Sequence, residues 1–281
     1  MKRIASIAAL LVLMAAPQAV AAGGFLKTLG AAQKAAKEKN QLIFVDLFAA
    51  WCGWCHRFDK EVVPSEAFQN ATDDMVLLRL DTEDGKEGTQ FSRQYGVNSL
   101  PTFLVLTPDL SVAAVIRGFA PPAQFAEMLN GSVDKYRAFE KLVARESSLA
   151  KDYSKRLEIA REFRNRQAWG ESEKRLRKLV AEPGVPVEVR DEAYYELGIL
   201  YNQQGKHDQV LKTLADFAKV QKQGVMFERS KMLLASTYLA LGNYRGAVDE
   251  LRAFKTRFPK SSMMVQVEQM LPIIEQMAST Q

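Results

Sequence analysis

Two cysteines, Cys52 and Cys55, are the only ones in 281 residues, and they sit in the run Trp51-Cys52-Gly53-Trp54-Cys55-His56. An apolar strand-like stretch leads into them and a helical pattern follows, so the pair opens a helix. There the first sulfur meets roughly half a positive charge and several unsatisfied N–H groups, which favour thiolate and lower its pKa from about 8.5. The thiolate is the attacking species in disulfide exchange. Two intervening residues put the second sulfur one helical turn inward, where it can close a disulfide and release a bound partner. One cysteine pair excludes a disulfide-stapled scaffold and a four-cysteine zinc site. The run also satisfies the haem-attachment pattern C-x-x-C-H, in which His56 would be an axial ligand. A metal centre would have only Cys52, Cys55, His56 and the distant His207 for nitrogen or sulfur ligation, and none is expected.

The elements that must hold this pair follow from pattern. Leu26, Leu29, Ala32 and Ala36 recur at helical spacing between Phe25 and Asn40. Leu42 to Phe48, Met75 to Leu80, Thr102 to Thr107 and Val112 to Arg117 are apolar runs of strand length. Helical patterns run from Cys52 to Pro64, around Phe91 to Tyr95, and from Pro122 to Asn130. This order predicts a mixed sheet of about four strands with helices on both faces.

The resemblance to the thioredoxin superfamily covers about residues 25 to 132. It is carried by Val45-Asp46-Leu47-Phe48-Ala49-Ala50-Trp51-Cys52-Gly53-Trp54-Cys55, by Tyr95-Gly96-Val97-Asn98-Ser99-Leu100-Pro101-Thr102-Phe103, and by Gly118 before the final helix. The early helix and the run Phe58 to Phe68 are most similar to the electron-carrying C-terminal domain of the DsbD type. The resemblance implies that Cys52 attacks and Cys55 resolves. It further implies that Asp46 is a buried acid taking the proton of the inner thiol, although a carboxylate at a strand end is also commonly solvated or capping. Pro101 is implied to be cis and packed against the sulfurs, with the Leu100 backbone presented to an extended substrate segment. Trp51, Gly53 and Trp54 would shape access and redox potential. The family often carries a Lys near the buried acid, and Leu77 is expected at that place here.

After residue 135 the pattern is helical almost to the end. Leu197-Gly198, Tyr201, Gly205, Val210 and Leu214 align with Leu234-Ala235, Tyr238, Gly242, Ala247 and Leu251, each 37 positions later, and Ile159-Ala160, Phe163, Ser172 and Leu176 form a degenerate earlier copy. These residues resemble the tetratricopeptide repeat, a helix-turn-helix unit. The first copy lacks the turn glycine, and Val210 stands where the family prefers a small residue. Met263 to Met277 would be the solvating end helix of the stack.

Charge supports a boundary near 135. Residues 23–134 hold 10 basic and 14 acidic side chains, and residues 135–281 hold 26 and 19. The net charge of the whole chain, +5 and about +3 without Lys2 and Arg3, is too mild to imply a nucleic-acid partner, and none is expected. Ten basic residues lie between Lys151 and Lys178; most are expected on solvated helix faces, but a cluster of them on a concave face could hold an acidic segment. With 47% hydrophobic and 25% charged residues, collagen-like and disordered classes are excluded.

Lys2 and Arg3 precede an apolar run from Ile4 to Ala16, then Pro17 and Ala19-Val20-Ala21-Ala22, the three-part pattern of a cleaved signal peptide. The expected organisation is therefore a signal peptide over 1–22, a thioredoxin-like α/β domain over 23–134 and an all-α tetratricopeptide-like array over 135–281. The expected activity is thiol-disulfide exchange on protein partners in the periplasm, fed by a periplasmic electron donor or acceptor. A partner protein would sit on the repeats, with no cofactor and no stable membrane insertion after cleavage. The competing expectation is an interaction module or chaperone in which the helical repeats dominate.

Overall fold

Thr28 starts the first helix of the computed structural model, which describes residues 24–279; the expected signal peptide lies outside the described residues. The Thr28 hydroxyl accepts the Ala31 N–H, and helix α1 (Leu29–Lys39) ends where Asn40 turns left-handed at φ 52°. Leu26, expected inside that helix, instead bridges to strand β2 (Met75–Asp81): its N–H reaches the Leu77 carbonyl at 2.8 Å and its carbonyl accepts from Arg79 N–H at 3.0 Å.

The sheet has the order β2-β1-β3-β4, with β1 (Leu42–Phe48), β3 (Thr102–Leu106) and β4 (Val112–Arg117). β1 and β2 are parallel, while β3 pairs antiparallel with both β1 and β4. Both faces are covered, which is why β1 and β3 read as continuous apolar runs rather than alternating ones. On one face Ile43, Val45 and Leu47 pack with Leu78, Leu104, Phe91 and the α1 residues Ala32 and Ala36. On the other, Phe44 and Phe103 meet Phe58, Phe68 and Phe125 in a cluster of stacked and edge-on rings. Phe58 belongs to α2 (Gly53–Glu61), so the helix opened by the cysteines lies on the face that carries Phe44, Asp46 and Phe48.

Two boundaries differ from expectation. The helix expected through Pro64 is α2, which ends at Glu61, short of the proline; a further helix that was not expected, α3 (Glu66–Thr72), begins beyond Pro64, where Ser65 caps it by accepting the Phe68 N–H. After α4 (Glu87–Gln94), the helix expected to stop at Asn130 is α5 (Pro122–Ala144), since no proline or turn glycine interrupts it. Between β2 and α4, Asp84 accepts N–H groups from Lys86, Gly88 and Thr89, which hold its carboxyl down to about 2.

The chain divides into two compact units, one ending at Val133 and one beginning at Asp134. In the second, a 3-10 turn over Glu146–Leu149 precedes three helix pairs: α6 (Tyr153–Asn165) with α7 (Trp169–Ala181), α8 (Val187–Gln203) with α9 (His207–Val220), and α10 (Val225–Ala240) with α11 (Tyr244–Arg257). Helix α12 (Met264–Ser279) closes the series. Gly205 and Gly242 take φ of 67° and 71° at the turns inside the second and third pairs, and Gln167 takes the same left-handed turn at 58° in the first. Close approach explains Gly198: a Cβ there would stand 2.9 Å from a Leu233 methyl. Among the described residues no helix is long and apolar enough to cross a membrane.

Candidate active site

β1 delivers the chain to Cys52, which caps α2; its sulfur accepts the Cys55 N–H at 3.1 Å, and the two cysteines form a disulfide with a Cα–Cα distance of 5.2 Å. Extended backbone at Cys52 turns Sγ toward the free N–H groups of the first helical turn, the setting that stabilises a thiolate once the disulfide opens. Cys52 is only 3% exposed and Cys55 2%, so both are largely enclosed in the disulfide form. Gly53 between them is exposed, and a Cβ on it would meet nothing within 4 Å.

The tryptophans stand outward. Trp51 is 68% exposed, and its indole N–H donates to Glu83 Oε1 at 2.8 Å. Trp54, 55% exposed, stacks on Phe119 with ring centres 5.5 Å apart, and the Arg57 guanidinium lies over both rings. Phe119 follows Gly118, whose N–H donates to the Pro101 carbonyl at 2.9 Å. The Leu100–Pro101 peptide is cis, and Thr102 stands opposite Leu47 in the β1–β3 register. Pro101 thus lies at the same end of the sheet as the β1 exit to Cys52, while Leu100 packs against the α1 side of the core.

Asp46 is 1% exposed, in the middle of β1 and not at a solvated strand end. Burial pushes its carboxyl up from 3.8 to about 7 against the pull of Arg79, with Asp59 raising it further and Lys27 lowering it. The expectation that Leu77 occupies the neighbouring cation position is corrected here. Parallel register sets Leu77 opposite Phe44 and Arg79 opposite Asp46, with Arg79 Nε 3.3 Å from Asp46 Oδ2. The cation is therefore present, as an arginine two positions further on. Neither of those two atoms makes a hydrogen bond, because Arg79 is drawn to Asp59 through Nη2 and stacks on the Phe48 ring at 4.3 Å. Asp59, on α2 one turn after Cys55, carries a second buried oxygen without a hydrogen bond. The result is a carboxylate–guanidinium–carboxylate set on the α2 face of the sheet.

His56 Nε2 donates to the Ala50 carbonyl at 2.8 Å, tying α2 to the loop before Cys52. Arg79, Asp59, Glu83, Arg57 and Phe119 escaped sequence reasoning. Only Asp59 carried a signal, as an acid one helical turn beyond Cys55.

Comparison with known proteins fits this geometry. Residues 29–131 match a model of the thioredoxin-like domain, and residues 230–261 match a tetratricopeptide repeat. Thioredoxin of Bacillus subtilis is 31% identical over 97 residues, which cover 34% of this chain and 86% of that protein. The thiol:disulfide interchange protein DsbD of Actinobacillus pleuropneumoniae is 28% identical over 102 residues, 35% of this chain, and the chain spans only 17% of its length. Among solved structures, the oxidised C-terminal domain of Neisseria meningitidis DsbD aligns with a TM-score of 0.34 at 22% identity, covering 37% of this chain and 90% of that domain. Through residues 29–131 and their Cys-x-x-Cys pair, the chain belongs to the thioredoxin family of thiol-disulfide oxidoreductases.

Proposed function

We propose that the chain is an exported reductase or exchanger of protein disulfides. The Cys52 thiolate attacks a partner's cystine, forming a mixed disulfide and expelling one partner thiolate. Cys55 then loses its proton to Asp46 and attacks Cys52 Sγ. The Cys52–Cys55 disulfide closes, and the partner leaves as a dithiol two electrons richer. The observation that carries this reading is the disulfide at the α2 N-terminus on the sheet face that buries Asp46. A carboxyl at about 7 exists in both protonation states near neutrality, as a group that takes and returns a proton must.

Trp51, Gly53 and Trp54 form the approach to the sulfurs, and Leu100 with Pro101 offers backbone to the incoming segment. Export rests on the signal-peptide pattern of residues 1–22. In the periplasm the reduced pair persists only if an electron donor renews it. The tetratricopeptide-like unit holds the protein partner while the first unit performs the chemistry.

The test is trapping: Cys55→Ala should accumulate a Cys52-linked mixed disulfide in periplasmic extract, and the Cys52→Ala/Cys55→Ala variant should not. Failure to trap any species, together with inactivity in insulin reduction, refutes the reading. Full cellular activity of the double variant would instead favour the interaction-module reading.

A further inference from the structure

The basic run between Lys151 and Lys178 does not behave as a loose patch of cations. Arg161 pairs with Glu192 and with Glu196, Arg164 with Glu196, Arg166 with Glu162, Arg175 with Glu146 and Glu171, and Arg177 with Glu173. These arginines are spent on struts within and between helices, so the expected arginine cluster for an acidic segment is neutralised from within.

Two lysines of the same run, Lys174 and Lys178, are left over. A cleft of about 460 Å³ opens between the 3-10 turn and helices α6 and α7. Its lining includes two guanidiniums already locked by carboxylates: Arg156 holds Glu182 through both Nη atoms, at 3.1 and 2.6 Å, and Arg175 holds Glu146 through Nε and Nη2. Lys174 and Lys178 also line the cleft, one helical turn apart on α7, and neither makes an ion pair among the described residues. Lys178 lies within electrostatic reach of Glu182, but that carboxylate is taken by Arg156. The cleft therefore holds four cations against two acids. Arg145 and Lys151, which flank the 3-10 turn, add two further cations without a carboxylate partner among the described residues.

We propose that this cleft is a docking site for an acidic segment of a partner polypeptide, with carboxylates of that segment bridging Lys174 and Lys178. The assignment rests on charge complementarity. The locked guanidiniums make a polar, preorganised lining that is electrically balanced, and the two ammonium groups supply the uncompensated charge at a spacing that successive acidic side chains can span. It deepens the reading in which the helical unit engages a protein, and it places the contact on Lys174 and Lys178, beside the Arg156 and Arg175 struts that line the same cleft.

The experiment titrates a fluorescein-labelled oligoglutamate peptide into the full chain and follows anisotropy. Lys174→Gln/Lys178→Gln should weaken binding by roughly fivefold or more and flatten its salt dependence. A control double variant at two unpaired lysines elsewhere in the same unit, Lys212→Gln/Lys260→Gln, should bind like the parent. The proposal is overturned if the parent does not bind, if the control weakens binding equally, or if inorganic phosphate displaces the peptide at the peptide's own molar concentration, which would mark a small-anion site. Insulin reduction by the same variants should be unchanged, and it separates failure of this docking site from failure of the redox assignment.

Discussion

Replacing Asp46 by asparagine should stabilise the protein, and more so as pH rises. In the folded chain the buried carboxyl titrates at about 7, while in the unfolded chain it returns to its ordinary 3.8. Between those values the folded state holds a proton that the unfolded state has released, so stability falls as pH rises, by about 1.4 kcal/mol per unit, and levels off above 7. From pH 5 to pH 8.5 the integrated loss is about 3 kcal/mol; this is a ceiling, because Arg79 at 3.3 Å moves with the charge. The carboxamide of the Asp46→Asn variant cannot ionise and escapes the penalty, while Arg79 keeps Asp59 in either protein. Urea unfolding of both oxidised proteins at the two pH values reads the effect directly. The gap between variant and parent should widen by about 2 to 3 kcal/mol at the higher pH. Equal gaps at both pH values would show that Asp46 is charged throughout, and the proton-relay assignment would lose its physical basis.

Two further outcomes test the positioning elements. Gly88→Ala should destabilise the first unit by more than about 2 kcal/mol in thermal or urea unfolding, because its Cβ would stand 1.9 Å from the Asp81 carbonyl oxygen and displace backbone at the end of β2. Gln167→Gly should stabilise the second unit by about 0.5 to 1 kcal/mol, since Gln167 holds φ 58° at a turn where its repeat partners carry glycine. A neutral or negative change on calorimetry would show that the Gln167 side chain compensates for its strained backbone.

What the sequence made legible was whatever is written locally. The Cys-x-x-Cys pair, the strand before it and the repeat of Gly205 and Gly242 each depend on neighbours within a few residues or on a fixed period. Long-range pairing was not legible. Arg79 faces Asp46 only because β1 and β2 run parallel in a register set by the core, and the family resemblance pointed to Leu77. Phe119 reaches Trp54 through the Gly118–Pro101 contact, which brings together segments far apart in sequence. The arginines of α6 and α7 read as free charge because several of their acids lie on other elements, as with Arg161 and Glu192 or Arg175 and Glu146. Gln167 shows the opposite case: a repeat position without its usual glycine still adopts the left-handed turn, because helix pairing on both sides fixes the backbone there.

The most direct measurement is the pH dependence of iodoacetamide alkylation in the reduced protein, with the modified residue identified by peptide mass. The account predicts that Cys52 reacts first, with an apparent pKa clearly below the roughly 8.5 of a free thiol, and that Cys55 stays protected until Cys52 is blocked. Modification of Cys55 first, or a Cys52 that titrates like free cysteine or resists the reagent behind the enclosure seen in the oxidised form, would contradict it.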